Sequence, residues 1–241
     1  SDKKIMNFAI NLAENNKYIT GTNPSVGCVI VKNNKILSFA TTNYGGRPHA
    51  ESIALNKNRS NKGTSLYSTL EPCSHHGVTP PCTNAIIKNK VKKVYYSIED
   101  KDLRTFNKTK KILKSKKIVA ISGLQKQNVK SLYSEYNYIR SKKAPYIIGK
   151  IASSSNLNIL RNSSPITNEH SRSVSHILRF QNHAILTSYK TINTDNPKLT
   201  CRLNGLEKFS PTVVVIDKNL KIKINSYVIK NLTKSKLIIF H

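Results

Sequence analysis

The sequence is poor in several residue types. It has no tryptophan, one methionine and four cysteines, and its 12 acidic residues stand against 40 Lys and Arg, a net charge of +28. So few cysteines in 241 residues exclude a disulfide framework and indicate a reducing compartment, where thiols bind metal, react or lie buried. No stretch approaches the roughly 18 apolar residues of a membrane span, and residues 1–5 do not resemble a signal peptide. We expect a soluble, cytoplasmic protein without membrane association.

Hydrophobic residues make up 38% of the chain and charged residues 22%, which is enough apolar material for a buried core and excludes a disordered linker. The positive charge is mostly lysine scattered among asparagines, as in Lys32-Asn33-Asn34-Lys35. A nucleic-acid footprint instead tends to cluster on one face and to use arginine for bidentate phosphate contacts. Nucleic acid is therefore not the expected partner.

Helical and strand patterns alternate along the first 140 residues. Apolar residues at helical spacing from Ile5 to Ala13 predict a helix, and the β-branched run at 26–31 predicts a strand. Further strands are predicted at 36–41, 65–70, 93–98 and 118–121, and further helices at 49–56, 82–87, 108–115 and 129–140. This alternation predicts an α/β fold built on one mixed sheet.

Pro145 interrupts the pattern, because proline lacks an amide donor and disfavours helix at the preceding residue. We place a domain boundary there, with one domain at 1–144 and a second at 145–241. In the second, strands are predicted at 146–152, 184–187 and 212–217 and a helix at 169–179. An apolar run at 237–240 predicts a final strand with no further helix to cover it. We therefore expect an incomplete domain whose sheet is half covered, and which self-associates into a homo-oligomer.

Three short motifs of the first domain carry the chemistry: His49-Ala50-Glu51, Cys73 and Cys82. A histidine and two thiolates supply three zinc ligands and leave the fourth tetrahedral position open for water, as in catalytic zinc sites. Glu51, which is not needed as a ligand, can move a proton from water to a leaving amine. The order His-x-Glu, then Pro-Cys and Cys, is a known signature of zinc deaminases, although eight residues separate these two cysteines instead of two. Cys28 and Cys201 are expected to be inert.

The segments Thr-Leu-Glu-Pro-Cys-Ser-His-His-Gly-Val-Thr-Pro-Pro-Cys at 69–82, Thr-Asn-Pro-Ser-Val-Gly at 22–27 and Pro-His-Ala-Glu at 48–51 closely resemble the bifunctional riboflavin-biosynthesis deaminase/reductase family. The resemblance implies a cytidine-deaminase-like three-layer α/β/α domain followed by a partial dihydrofolate-reductase-like α/β domain. It also implies zinc-dependent deamination of a small-molecule substrate, a diaminopyrimidinone carrying a ribosylamino 5′-phosphate, to the aminouracil. The implied site residues are His49, Cys73 and Cys82 as zinc ligands, Glu51 as the proton carrier, and Asn23, Ser74, His75 and Thr79 as substrate contacts.

The resemblance continues into the second domain, notably at 184–188 and 195–199. It implies an NADPH-dependent reductase acting on the ribosyl group. Carried over by position, Arg179 and Arg202 would hold the phosphate side of the substrate, and Thr191 and Asp195 would lie on the NADPH side. Arginine suits the first role because its fork binds phosphate bidentately.

The sequence departs from the family at several positions. Val78 stands where a basic residue is usual, and Thr42 where a histidine is common. The family's reductase also continues for longer than this chain, with a glycine-rich cofactor loop and an acidic substrate contact that are absent here.

Two alternatives remain open. A deaminase of nucleic-acid bases would account for the net charge, but such enzymes usually keep the two-residue cysteine gap and end after one domain. A non-catalytic remnant, a folded scaffold that keeps zinc for stability, would account for the partial second domain. However, an intact Glu51 beside an open zinc position has no structural reason to persist.

Overall fold

Two units make up the chain, Ser1–Ile147 and Ile148–His241. The computed structural model describes residues 1–159, 166–232 and 236–241. The predicted boundary, between residues 144 and 145, lies just ahead of this division. None of the helices in these ranges is long and apolar enough to cross a lipid bilayer.

The first unit is organised by a five-stranded sheet with the order β2-β1-β3-β4-β5. β1 pairs antiparallel with both β2 and β3, whereas β3, β4 and β5 run parallel. The strands are β1 (Gly27–Lys32), β2 (Lys35–Thr41), β3 (Ser65–Leu70), β4 (Lys93–Ile98) and β5 (Val119–Ser122). The helices are α1 (Asp2–Asn15), α2 (Ala50–Asn56), α3 (Cys82–Lys88), α4 (Thr109–Ser115) and α5 (Ser134–Lys142).

Helices cover both faces of this sheet. Successive strand residues point to opposite faces, and the neighbours Tyr67 and Ser68 of β3 contact different helices. The Tyr67 hydroxyl donates to Asp2 of α1 at 2.7 Å, while the Ser68 hydroxyl donates to Glu51 of α2 at 3.3 Å. The expected three-layer α/β/α arrangement is therefore confirmed.

Close packing of α1 on the sheet depends on a glycine. A Cβ atom at Gly27, the first residue of β1, would lie 1.9 Å from the carbonyl oxygen of Ala9. Only a residue without a side chain lets the helix approach the strand so closely. This contact fixes the segment before β1, which carries Asn23.

The second unit has a three-stranded parallel sheet of order β6-β7-β8. Its strands are β6 (Ala184–Ser188), β7 (Thr212–Ile216) and β8 (Leu237–Phe240), and its helices are α6 (Glu169–Gln181), α7 (Tyr189–Asp195) and α8 (Tyr227–Lys230). Val213 and Val215 of β7 are buried on one face of the sheet. They share a hydrophobic core with Ile192 of α7 and Val228 of α8.

Two predicted elements are wrong or incomplete, and one helix was not predicted. The strand predicted at 146–152 is absent, because these residues have no ladder partner in the described part of the chain; Ile147 and Ile151 are 81% and 82% exposed. The helix predicted from residue 129 begins only at Ser134, after successive tight turns. α7 is a helix that the sequence did not predict, since it holds mostly poor helix formers; the Ser188 side chain caps it by accepting from the Thr191 amide.

Candidate active site

The first turn of α2 positions two of the predicted site residues. His49 precedes the helix with an extended backbone, and Glu51 lies in the first turn. His49 and Glu51 lie on either side of the helix start, and both side chains reach the place where Cys73 and Cys82 meet. Glu51 is only 3% exposed. A carboxyl group in such a place is desolvated, which raises the pKa of Glu51 above its ordinary value.

The two cysteines come from a strand end and a helix start. Cys73 lies just beyond β3, and Cys82 is the first residue of α3. The amide of Cys82 donates to the Cys73 sulfur at 3.2 Å, and the amide of Thr83 donates to the Cys73 carbonyl oxygen at 3.1 Å. The long segment between the cysteines is thus closed on itself, so the eight-residue gap still brings the two sulfurs together.

His49, Cys73 and Cys82 form a compact set of candidate metal ligands, whose ligand atoms all lie within 4.8 Å of one another. Nδ1 of His49 is 3.5 Å from the Cys73 sulfur and 3.4 Å from the Cys82 sulfur. Tetrahedral zinc with ordinary bond lengths would place a nitrogen and a sulfur about 3.6 Å apart. The donor set and its spacing therefore fit zinc, with room for a fourth ligand.

The pKa values of the two thiols shift in opposite directions. Hydrogen bonds from Cys82 and His49 lower the pKa of Cys73 to about 4. The hydrogen bond with Cys73 is the larger cause that raises the pKa of Cys82, and burial is the second. The hydrogen bond to Cys73 raises the pKa of His49. The free backbone amide at the start of α3, that of Cys82, donates to the Cys73 sulfur and so favours the Cys73 thiolate.

A cavity opens above this cluster. Four of the 12 acidic residues of the chain line it, although acidic residues are scarce elsewhere. Its walls also include three arginines. The lining residues are Asn23, Pro24, Val26, Thr42, Arg47, His49, Glu51, Leu70, Glu71, Cys73, His75, Asp100, Asp102, Arg104, Tyr136 and Arg140.

The predicted substrate contacts divide into two pairs. Asn23 and His75 line the cavity. Ser74 and Thr79 are not among its lining residues: the Ser74 hydroxyl faces the carbonyl oxygen of Arg104, and the Thr79 hydroxyl accepts from Arg47.

Thr42, the residue found in place of a common histidine, helps to build the wall of the cavity. It is buried, its hydroxyl accepts from the Val26 amide at 3.0 Å, and it donates to the Pro24 carbonyl oxygen at 3.2 Å. Thr42 therefore ties the end of β2 to the segment that carries Asn23.

Sequence reasoning missed the far wall of the cavity. Asp100 and Asp102 directly follow β4, and ligands of parallel sheets bind beyond the carboxyl ends of strands, which is a signal that could have found them. Tyr136 and Arg140, one helical turn apart on α5, complete this wall: the Tyr136 hydroxyl donates to Asp100 at 2.9 Å, and Arg140 lies 3.7 Å from Asp102. Their spacing alone does not distinguish them from a solvated helix face.

The second unit brings together the two predicted arginines. Nη1 of Arg179 lies 3.3 Å from Nδ1 of His176, and that ring nitrogen accepts from the Arg202 amide at 3.1 Å. Burial, with the nearby Arg202 charge, lowers the pKa of Arg179. Thr191 and Asp195 lie one turn apart on α7, and both are exposed.

Comparison with known proteins shows similarity in both units. Residues 1–98 match the family described as the cytidine and deoxycytidylate deaminase zinc-binding region, and residues 145–241 match the RibD C-terminal domain. The riboflavin biosynthesis protein RibD of Aquifex aeolicus is 36% identical over 232 residues, covering 95% of this chain and 65% of that protein. RibD of Escherichia coli is 36% identical over 216 residues, covering 86% of this chain and 58% of that protein. The chain thus spans roughly three fifths of the length of these relatives.

Solved structures agree. RibD of Acinetobacter baumannii superposes with a TM-score of 0.91 at 30% identity, covering 100% of this chain and 70% of that chain. The diaminohydroxyphosphoribosylaminopyrimidine deaminase/5-amino-6-(5-phosphoribosylamino)uracil reductase of Thermotoga maritima has a TM-score of 0.87 at 32% identity, covering 99% of this chain and 69% of that chain. The expected deaminase and reductase folds are thereby confirmed, and the chain belongs to the RibD family of bifunctional riboflavin-biosynthesis deaminase/reductases.

Proposed function

We propose that the first unit removes an amino group hydrolytically from a diaminopyrimidinone that carries a ribosylamino 5′-phosphate, as a step of riboflavin biosynthesis. The products would be the aminouracil and ammonia. One observation carries the proposal: Glu51 lies beside the ligand set, with Oε2 3.5 Å from the Cys82 sulfur, and it lines the same cavity as His49 and Cys73. A purely structural zinc site would need no such carboxyl group.

His49, Cys73 and Cys82 would hold zinc, which, when bound, lowers the pKa of a water molecule and so supplies a nucleophile at neutral pH. Glu51 would accept a proton as the water oxygen attacks the ring carbon, and would then deliver it to the departing amino nitrogen. The bond to the new oxygen forms, the carbon–nitrogen bond breaks, and ammonia leaves. Burial suits Glu51 to this exchange, because it moves the pKa of the carboxyl group towards neutral pH, where one group can serve as both base and acid.

The test is ammonia release from the phosphorylated diaminopyrimidinone by zinc-loaded protein without NADPH, with Glu51→Gln as the comparison. We expect wild-type release and at least a hundredfold loss in the variant, since general acid–base groups contribute about 10²- to 10⁴-fold. Equal zinc content and unfolding temperature in both proteins would show that the loss is chemical. Wild-type turnover by Glu51→Gln, or no release by either protein, would contradict the proposal.

We further propose that the second unit serves an NADPH-dependent reduction of the ribosyl group. Its support is the cluster of Arg179 and Arg202 around His176, which offers charge for a phosphate-bearing ligand. Thr191 and Asp195 would lie towards NADPH. Quenching or enhancement of NADPH fluorescence on titration with protein tests the cofactor, and its absence at millimolar protein would contradict binding by this chain.

Self-association is proposed from the second sheet. Leu186, Ile216, Ile238 and Phe240 alternate along its three strands on one face, and each is about half exposed or more. An apolar face of this kind favours association. Light scattering across a concentration series measures the mass, and a monomer at all concentrations would exclude it.

A further inference from the structure

The side chain of Arg47 reaches into the segment between the two cysteines. Arg47 lies ahead of α2, and its Nη1 donates to the Thr79 hydroxyl at 2.7 Å. Its Nη2 lies 3.4 Å from the place that a Cβ atom on Gly77 would occupy. The guanidinium group therefore bonds to one neighbour of Val78 and lies close to the other.

Val78 itself contributes no charge to this place. Its side chain is apolar and 86% exposed, at the tip of a turn in which the Gly77 amide donates to the Thr79 carbonyl oxygen at 3.3 Å. The Arg47 guanidinium supplies a cation at this turn from a different element.

Arg47 also differs in its partners from the other two arginines of the cavity. Arg104 and Arg140 both lie within ion-pair distance of Asp102, at 2.6 and 3.7 Å. Arg47 lines the same cavity, and within the described ranges no carboxylate forms an ion pair with it. A guanidinium group has five N–H donors, so the bond to Thr79 leaves donors for a ligand while it fixes the direction of the group.

We propose that Arg47 recognises the 5′-phosphate of the deaminase substrate; this inference rests on the proposed function. A half-buried guanidinium that lines a cavity and has no ion-pair partner within the described ranges matches a phosphate group in charge and in forked geometry. Thr79 positions the guanidinium and does not itself line the cavity. Arg47 is thus a specificity residue that distinguishes phosphorylated from unphosphorylated substrate.

The experiment compares kcat/KM for ammonia release from the diaminopyrimidinone with a ribosylamino 5′-phosphate and from the same compound without phosphate, using the zinc-loaded full chain. In Arg47→Gln, which can still donate to Thr79, we expect the preference for the phosphorylated compound to fall about tenfold to a hundredfold, mainly through KM. Arg47→Lys keeps the charge without the fork and should lose less. Arg47→Gln/Val78→Lys should regain part of the preference, because the cation returns to the same turn.

Arg59→Gln is the matched control, since Arg59 is an exposed arginine of the same unit outside the cavity; it should keep the wild-type preference. Zinc content and unfolding temperature check each variant, and Arg47→Lys decides the question if Arg47→Gln does not fold. An unchanged preference in a folded Arg47 variant, with an active wild type, overturns this inference alone. No ammonia from either compound with the wild type overturns the proposed function and this inference with it.

Discussion

The hydroxyl group of Ser68 donates to Oε1 of Glu51 at 3.3 Å, from the middle of β3 to the first turn of α2. Ser68 is fully buried, and Oε2 of the same carboxyl group faces the Cys82 sulfur at 3.5 Å. The two oxygens of Glu51 are thus held by different elements, which fixes the plane of the carboxyl group. Ser68 is in this sense a positioning residue for the proposed proton carrier.

Removing that hydroxyl should slow the reaction without weakening binding. In Ser68→Ala we expect kcat to fall about fivefold, equivalent to a hydrogen bond of about 1 kcal/mol, while KM and zinc content stay at wild-type values. Ser97→Ala is the control, because the Ser97 hydroxyl is also buried but has no hydrogen-bond partner in the described part of the chain. A fall in kcat of the same size in both variants would show that Ser68 acts only through packing.

The sequence was sufficient to predict the candidate ligand set and two residues of the cavity walls, Asn23 and His75, but not the far wall. His49, Cys73 and Cys82 lie at a helix start, a strand end and another helix start, which local patterns locate well. Arg47 and Ser68 acquire their roles from side-chain directions across the fold, and no pattern in their own segments records which groups they meet.

The same difference between local patterns and long-range contacts explains which elements of the fold were predicted correctly. β3 and β4 were predicted with their observed bounds, because each is a short apolar run between turns. The strand predicted at 146–152 has the right residue types but no neighbouring strand, and the ladder that defines a strand is a long-range property. The local sequence thus predicts the bounds of a strand better than it predicts whether the strand has a partner to pair with.

Glu71 should contribute more to stability than a surface carboxylate. Its oxygens accept from the backbone amides of Asp100, Asn107 and Thr109, each at 3.2 Å, and so hold the segment that forms the far wall of the cavity. In Glu71→Gln, the amide NH₂ group would face backbone donors, which leaves buried groups unsatisfied. We expect a loss of about 2–3 kcal/mol in the free energy of unfolding.

Urea denaturation of the wild type and Glu71→Gln measures this loss. Glu14→Gln, an exposed carboxylate in α1, is the matched control and should change stability by less than about 0.5 kcal/mol. Equal midpoints for the two variants would contradict the role given to Glu71.

Asp102 should make stability depend on pH in acid. Hydrogen bonds from Arg104 hold the pKa of Asp102 well below its ordinary value of 3.8. A carboxyl group whose folded pKa is depressed contributes stability that is fully present above the unfolded pKa and is lost as pH falls towards the folded one. Since Arg104 is largely exposed, we expect a contribution of only about 1 kcal/mol.

Unfolding temperatures of the wild type and Asp102→Asn across a pH series test this. The difference should be constant near neutral pH and should shrink as pH falls below about 4. A difference that persists unchanged to the lowest pH would assign the effect to packing instead of charge.

Zinc removal should separate a catalytic site from a structural one. A chelator should abolish ammonia release and lower the unfolding temperature of the first unit, because a ligand at a thousandfold excess over its dissociation constant adds about 4 kcal/mol to stability. Cys73→Ser should lose zinc and behave like the chelated protein, whereas Cys201→Ser, a buried thiol outside the ligand set, should keep both zinc and activity. A remnant scaffold would show the same loss of stability, so stability alone cannot distinguish the two.

The Glu51→Gln variant, added to the same series, distinguishes a catalytic zinc site from a structural one. Because Glu51 is not one of the three grouped ligands, this variant should bind zinc and unfold at the wild-type temperature, yet release ammonia at least a hundredfold more slowly. Zinc content, measured by a chromogenic chelator after denaturation, makes the comparison quantitative. If Glu51→Gln instead lost its zinc along with its stability, the carboxyl group would belong to the metal site, and the assignment of Glu51 as the proton carrier would be wrong.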